Sequence, residues 1–214
     1  MAPPFVLYCF PMINQTVLIA TNNQHKVREF REIFADIAPA IKLAAPRDLG
    51  ISLDIEETGR TYAANARRKA LAFARAARML VLADDSGLEV AALAGAPGVY
   101  SARYAGDGAS SDDRIALLLR NLSSIPPEQR SARFVAVIAV ADSNGTVRSC
   151  RGSVRGFIIN EKRGQGGFGY DPVFYMPEFG CTMAELPAAI KNKVSHRARA
   201  AQRALPLLES LGAY

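Results

Sequence analysis

Two adjacent carboxylates, Asp84 and Asp85, follow an apolar run that begins at Val81. The run has the composition of a buried strand, and Gly87 just beyond the carboxylates predicts that the strand breaks there. In open α/β sheets, ligands bind in the crevice beyond the carboxyl ends of the strands. A carboxylate pair in that crevice can hold Mg²⁺ and orient a water molecule. The alternative is a solvated turn, because Asp-Ser-Gly is a common turn sequence.

Neighbouring residues on a strand point in different directions, so the two carboxylates are expected to have different roles. We expect Asp85 to be the base and Asp84 to support it. A second acidic pair, Glu56 and Glu57, precedes a predicted helix. Its alternative explanation is a favourable charge near the start of that helix.

The spacing of apolar residues along the chain predicts an α/β domain. The predicted strands are 17–20, 79–83, 132–141 and 146–159, the last two forming an antiparallel hairpin. One predicted helix contains Val27 to Phe34, a second covers 62–77 with Thr61 as its cap, and a third covers 112–122. The last predicted helix begins at Ser195 and has a kink or break at Pro206. Together they indicate a mixed, partly antiparallel sheet flanked by helices.

The 214 residues are enough for one well-buried domain, which we place at 16–214, after an extension at 1–15. We expect Met12 to be the natural start. Residues 1–20 have no Lys or Arg and do not resemble a secretory signal, and no apolar run is long enough to span a membrane. Cys9, Cys150 and Cys181 are scattered, as expected for reduced thiols, so we expect a cytoplasmic protein without a membrane partner.

The formal net charge of +6 fits either a nucleic-acid surface or a pocket for a small polyanion. Six basic residues lie near the C-terminus, but no aromatic residues are interleaved with them as a base-stacking surface would require. They are Lys191, Lys193, His196, Arg197, Arg199 and Arg203. The pattern favours a small-molecule pocket over a stable nucleic-acid complex.

A polar loop joins the first predicted strand to the first helix, where backbone N–H groups and the positive helix end attract phosphate. Lys26 would add a point charge. The glycines of a Walker loop are missing, so the loop would have to use side-chain amides and hydroxyls. An ordinary capped helix start is the alternative. The loop residues are Thr21, Asn22, Asn23, Gln24, His25 and Lys26.

A glycine-rich stretch from Gly164 to Gly169 matches G-x-G-x-x-G, but no helical pattern follows it, which excludes a dinucleotide-binding motif. A flexible turn with Phe168 stacking on a base fits better. His196 and Arg197 could donate hydrogen bonds to an oxygen of a purine base, with Lys191 near phosphate or the base edge. Ordinary loop and surface positions are the alternatives for these residues.

Several motifs, in this order, resemble those of the inosine/xanthosine triphosphate pyrophosphatase family, which hydrolyses deaminated purine nucleoside triphosphates to the monophosphate and pyrophosphate. The matching segments are Thr21 to Lys26, Glu56 to Gly59, Ala83 to Leu88, Gly95 to Tyr104, Gly166 to Pro172 and Ser195 to Arg197. Bacterial members usually have Thr-Gly-Asn where this chain has Thr21, Asn22 and Asn23. That departure raises the question of the backbone conformation at Asn22, although Asn tolerates the left-handed region.

The resemblance implies a homodimer of two-lobed α/β subunits with a central nucleotide cleft, which removes ITP, dITP and XTP from the nucleotide pool. Asp85 would be the proton acceptor, and Glu57 and Asp85 would hold Mg²⁺. The implied substrate contacts are Thr21, Asn22, Asn23, Gln24, His25, Lys26, Ser86, Phe168, Gly169, Tyr170, Asp171, Lys191, His196 and Arg197. Two alternatives stay open, a pyrophosphatase of similar architecture for other nucleotides and a basic nucleic-acid-binding protein without catalysis.

Overall fold

The computed structural model describes residues 15–212. The predicted extension, apart from Gln15, the expected start at Met12, and Cys9 therefore lie outside the described residues. The strands are β1 (Gln15–Ile19), β2 (Ile41–Ala44), β3 (Val81–Val90), β4 (Ser131–Ala141), β5 (Val147–Ile158), β6 (Phe174–Met176) and β7 (Cys181–Thr182). The α-helices are α1 (Gln24–Ile37), α2 (Tyr62–Ala77), α3 (Ser111–Asn121), α4 (Ala188–Val194) and α5 (His196–Gly212).

All the described strands belong to one mixed sheet in the order β2-β1-β3-β4-β5-β6-β7. β1 is parallel to β2 and β3, and the remaining neighbours are antiparallel. Alternation along β1 directs Val17 and Ile19 to a core shared with α1 and α5, and Leu18 and Ala20 to a core shared with α2. The predicted mixed α/β sheet flanked by helices is confirmed. Within 15–212, the helices include none long and apolar enough to cross a membrane.

Strand β3 does not break at Gly87, so that prediction was wrong. The strand continues to Val90 because β4 pairs with its whole length, with Asp85 opposite Val137 and Gly87 opposite Val135. The glycine instead permits close packing, since a Cβ at this position would lie 2.3 Å from the carbonyl oxygen of Gly98.

The carboxylates nevertheless lie beyond the end of a parallel strand. β1 pairs with β3 only at Val81 and Leu82 and ends at Ile19, so Asp84 and Asp85 extend past it. The crevice predicted for this edge is formed by the end of β1 rather than by the end of β3.

The last helix begins at His196, one residue after the predicted start, and Ser195 Oγ accepts a hydrogen bond from the backbone N–H of Ala198 (3.2 Å). Pro206 lies inside α5 and does not end it, so the predicted break does not occur. A proline removes a single helical hydrogen bond, and here the helix continues to Gly212. The sequence patterns also missed α4 and the short strands β2, β6 and β7.

Candidate active site

The side chains of Asp84 and Asp85 project to opposite sides of β3, as the alternation of a strand requires. Asp84 Oδ2 lies 2.8 Å from the ammonium of Lys26 on α1. Asp85 Oδ2 accepts a hydrogen bond from the side-chain amide of Asn65 on α2 (3.0 Å). Both carboxylates are buried. Asp84 is therefore bound to a helix on one face of the sheet, and Asp85 is bound to a helix on the other face.

A cavity of about 140 Å³ lies beside Asp85. The predicted site residues that line it are Asn23, Lys26, Glu57, Asp85, Ser86, Phe168, Gly169, Tyr170, Asp171, His196 and Arg197. His25 and Lys191 line a second cavity of about 210 Å³, and Phe168 borders both. Thr21, Asn22 and Gln24 line neither cavity. Segments far apart in the sequence thus meet around one space.

Asn23 caps helix α1. Its side-chain oxygen accepts hydrogen bonds from the backbone N–H groups of His25 (3.0 Å) and Lys26 (3.2 Å). These two N–H groups are therefore already bonded, contrary to the expectation of a free phosphate cradle, because Asn is a strong helix cap. Asn22 is absent from the described non-glycine residues with positive φ, so the family's glycine is not needed there for a left-handed backbone.

Asp84 is surrounded by cations. Burial alone would raise the pKa of Asp84, but Lys26 and Arg197 outweigh burial and hold that pKa below its ordinary value. The guanidinium Nε of Arg197 lies 3.6 Å from Asp84 Oδ2, and the Ser86 hydroxyl donates to the same oxygen (3.1 Å). Asp84 is thus a permanently charged anchor for Lys26 and Arg197.

Asp85 has the opposite electrostatic character. Burial raises the pKa of Asp85 to about 6, while Lys69 opposes the rise and Glu57 adds to it. Both oxygens accept hydrogen bonds, Oδ2 from Asn65 and Oδ1 from the backbone N–H of Ser86 (3.0 Å). A carboxyl with a pKa near neutrality, facing a cavity, suits a general base.

Glu57 lies in the segment 51–59, which has neither helix nor strand. Its carboxylate is paired with the ammonium of Lys69, which also donates to the carbonyl oxygen of Asp84 (2.7 Å). The Arg103 guanidinium donates to the carbonyl oxygen of Glu57 (3.0 Å). Side chains therefore fix this segment beside β3.

The cavity offers two carboxylates as ligands for a divalent cation. Within residues 15–212, His, Cys, Asp and Glu side chains form no group of three or more that could hold a metal ion. Glu57 and Asp85 do face the same cavity. Mg²⁺ is usually bound by one or two carboxylates together with substrate phosphates and waters. Two carboxylates beside a phosphate-sized space fit such an ion.

A network of buried charges joins residues that line the first cavity to residues that line the second. Arg197 donates to Glu29 Oε2 (2.8 Å) and to the Ser86 hydroxyl (2.9 Å). The Lys191 ammonium lies 2.8 Å from Asp171 Oδ2 and 2.9 Å from Glu29 Oε1. Burial would lower the pKa of Lys191, but Asp171 and Glu29 outweigh it and raise that pKa. Both cations are held in place by protein carboxylates.

Phe168 lies against these cations. Its ring stacks on His25 with centroids 5.2 Å apart, and the Arg197 guanidinium carbon lies 4.7 Å from its centroid. Gly167 and Gly169 on either side have positive φ. The Phe168 ring therefore lies on a turn whose backbone conformation residues other than glycine rarely adopt.

His196 is buried, and its ring stacks on Phe134 with centroids 4.8 Å apart. Burial, helped by Arg197, lowers the pKa of His196 well below its ordinary value, so the imidazole is neutral at physiological pH. Its Nδ1 has no hydrogen-bond partner among the described residues. A neutral imidazole has one donor and one acceptor nitrogen, so it can take part in base recognition.

Sequence reasoning missed four residues that build this site, namely Glu29, Asn65, Lys69 and Arg103. Arg103 lies within the matching segment Gly95 to Tyr104, although it was not selected as a site residue. The other three had a weak local signal. Glu29 is three residues after Lys26 and therefore on the same face of α1. Asn65 and Lys69 are four residues apart on α2, beside the buried Ala66 and Ala70.

The chain is similar to known proteins over most of its length. The profile of the Ham1 family matches residues 17–207, which is most of the chain. The chain belongs to the Ham1 family. The Ham1 protein of Staphylococcus aureus has a solved structure that superimposes with a TM-score of 0.80 at 41% identity, covering 92% of this chain and 99% of that one.

Relatives that are named for an activity are also similar to this chain. The dITP/XTP pyrophosphatase of Desulforamulus reducens is 45% identical over 195 residues, 91% of this chain and 96% of the relative. The dITP/XTP pyrophosphatase of Bacillus subtilis is 44% identical over 199 residues, 93% of this chain and 100% of the relative. The resemblance inferred from the motifs is confirmed by these matches to Ham1 proteins.

Proposed function

We propose that this protein hydrolyses the deaminated purine nucleoside triphosphates ITP, dITP and XTP to the monophosphate and pyrophosphate. The observation that carries the proposal is the cavity that joins Lys26, Glu57 and Asp85 to Phe168, His196 and Arg197. The first group suits a triphosphate, and the second suits a purine base. The names of the Ham1 relatives support the same activity.

The triphosphate would lie at the Lys26 end of the cavity. Lys26 is at the N-terminal end of α1, where the helix dipole adds to its charge. Lys69 is a second ammonium on this side, paired with Glu57. These two cations would offset the charge that develops on the departing pyrophosphate.

Asp85 would accept the proton of the attacking water. The water oxygen forms a bond to the α-phosphorus, the bond from that phosphorus to the bridging oxygen breaks, and pyrophosphate leaves with the bond's electron pair. In the metal-free protein burial raises the pKa of Asp85 to about 6, so Asp85 is ionised at neutral pH and is a stronger base than an exposed carboxylate. Mg²⁺, held by Glu57 and Asp85, would polarise the phosphate oxygens and help orient the water.

Base selection would depend on side chains that can donate hydrogen bonds but cannot accept them. Hypoxanthine and xanthine carry an oxygen at position 6, whereas adenine carries an amino group. Arg197 and Lys191 have only donor groups, and buried carboxylates fix both. His196 would offer its donor nitrogen. A site whose buried donors are left unpaired rejects the wrong base by about 10⁴.

We also propose the wider properties expected from the sequence. The protein would act as a homodimer in the cytoplasm and clear deaminated nucleotides before they enter DNA or RNA. One sheet that includes every described strand supports a single catalytic domain. Light scattering coupled to size-exclusion chromatography tests the dimer.

Product analysis tests the reaction. Anion-exchange chromatography of ITP incubated with the protein and Mg²⁺ should show IMP and pyrophosphate in equal amounts. IDP with inorganic phosphate would contradict attack at the α-phosphorus. Turnover of modified pyrimidine nucleotides alone would favour the other pyrophosphatase class, and salt-sensitive DNA binding without any turnover would favour a nucleic-acid-binding protein.

A further inference from the structure

Asn65 on α2 is buried, with 1% of its surface exposed, and lies beside Asp85 and the segment that carries Glu57. Its amide Nδ2 donates to Asp85 Oδ2 (3.0 Å), and its Oδ1 accepts from the backbone N–H of Gly59 (2.8 Å). Gly59 is two residues from Glu57 in the segment without helix or strand. One side chain therefore links Asp85 on β3 to the segment that carries Glu57.

The hydrogen-bond network fixes the orientation of this amide. A backbone N–H can only donate, so the carbonyl oxygen of Asn65 must face Gly59 and its NH₂ group must face Asp85. The fit is tight, because a Cβ at Gly59 would lie 2.5 Å from Asn65 Oδ1. An aspartate or a leucine has nearly the same shape but cannot make both bonds.

Helix α2 holds the Glu57 segment with three side chains at helical spacing. Arg68 donates to the Thr58 hydroxyl (2.5 Å), and Lys69 pairs with Glu57. Asn65 is the member of this set that also contacts Asp85. Arg68 is exposed, and its side-chain hydrogen bond goes to Thr58 in the segment rather than to Asp85. It therefore offers a matched control.

We propose that Asn65 is a positioning residue that sets the distance between Glu57 and Asp85, so that both carboxylates reach the same Mg²⁺ ion. The proposal rests on the proposed function, in which these two residues hold the metal. Asn65 lines neither cavity, so it acts through its two neighbours. Residues that orient metal ligands typically change metal affinity or activity by about 10- to 100-fold when they are replaced.

Metal binding gives a direct test. Free Mn²⁺ is measured by electron paramagnetic resonance with the full-length protein and a non-hydrolysable α,β-imido analogue of ITP. We expect N65A and N65D to raise the Mn²⁺ dissociation constant at least about tenfold, and R68A to change it less than about threefold. G59A should resemble N65A because its Cβ displaces the amide.

Kinetics give a second readout. N65A and N65D should lower kcat and raise the Mg²⁺ concentration for half-maximal activity, with a small change in the KM for ITP. Circular dichroism must show folded variants at the assay temperature. Equal Mn²⁺ affinities and Mg²⁺ requirements for the wild-type protein and N65D would overturn the role of Asn65. A wild-type protein that binds Mn²⁺ but releases no pyrophosphate would overturn the proposed function and leave the positioning role supported by the binding data.

Discussion

Arg197 at the start of the last helix donates to Glu29 on the first helix, with Nη1 and Oε2 2.8 Å apart. Both side chains are buried, and they are separated by 168 positions in the sequence. Glu29 also lies 2.9 Å from the ammonium of Lys191. One carboxylate thus holds the two cations that border Phe168, and its removal would leave buried positive charge uncompensated.

Replacement of Glu29 by Gln should destabilise the fold. Removing one partner of a buried ion pair costs roughly 3–5 kcal/mol, and Gln retains the shape but not the charge. Urea unfolding at neutral pH measures the loss. Glu32→Gln is the matched control, because Glu32 is exposed on the same helix and accepts from Asn192. Equal stability of the Glu29 and Glu32 variants would contradict the importance of the buried charge.

The stability difference between wild type and Glu29→Gln should depend on pH. Burial would raise the pKa of Glu29, but Arg197 and Lys191 outweigh it and lower the pKa from 4.5 to about 2. A lowered pKa in the folded state stabilises the protein fully above pH 4.5 and progressively less as the pH falls toward 2. Urea unfolding measured between about pH 5 and about pH 3 should show the free energies of unfolding of the two proteins converging as the pH falls.

Asp85→Asn should abolish activity and stabilise the metal-free protein. The variant loses a base and a metal charge, so we expect kcat to fall at least about a hundredfold. Burial raises the pKa of Asp85 to about 6, so the folded state holds a proton more tightly than the unfolded state. The carboxylate therefore costs stability increasingly as the pH rises from 3.8 to about 6 and fully above that.

The raised pKa of Asp85 corresponds to at most about 3 kcal/mol gained by Asp85→Asn at about pH 8 in EDTA, and this gain should be absent near about pH 4. The gain is reduced by one hydrogen bond, because the Asn side chain has a single acceptor oxygen for the two donors of Asn65 and Ser86. Asp84→Asn should have the opposite effect, because it leaves Lys26 and Arg197 without their shared counter-charge. Thermal unfolding of both variants checks the signs, and two changes of the same sign would contradict the different environments of these neighbours.

Phe168→Leu should weaken the binding of every purine nucleotide. Stacking of a base on an aromatic ring contributes about 1–3 kcal/mol, so the KM for ITP should rise about 5- to 150-fold. Because stacking does not distinguish 6-oxo from 6-amino purines, the ratio of kcat/KM for ITP to that for ATP should be unchanged. Steady-state kinetics measure both quantities. A collapse of this ratio would instead assign base selection to Phe168.

Much of the fold could be predicted from local patterns. The periodicities of β4, β5, α2 and α3 are local, and the structure confirms these elements to within about two residues. The end of β3 could not be predicted, because pairing with β4 carries the strand past Asp84 and Gly87 to Val90. From the local sequence, Gly87 is expected to end the strand. In the structure the carbonyl oxygen of Gly98 packs so closely on Gly87 that a side chain would not fit, so the strand requires a glycine there.

The site itself was less predictable. Acidic pairs and glycine-rich turns are visible in sequence, so Asp85 and Phe168 could be selected from the residues alone. The choice of Glu57 over Glu56 came from the family resemblance. The partners that fix them are distant in sequence. Glu29 meets Arg197 only when α1 packs on α5, and Asn65 meets Asp85 only when α2 covers the sheet. Such pairs depend on topology, which no periodicity encodes.

Pyrophosphate release from ITP, dITP, XTP, GTP and ATP, measured with Mg²⁺ and then with EDTA, tests the central claim most directly. We expect kcat/KM for ITP, dITP and XTP to exceed that for ATP by at least about a hundredfold, and EDTA to abolish release. Equal turnover of ATP and ITP, or full activity in EDTA, would contradict a metal-dependent site that selects deaminated purines.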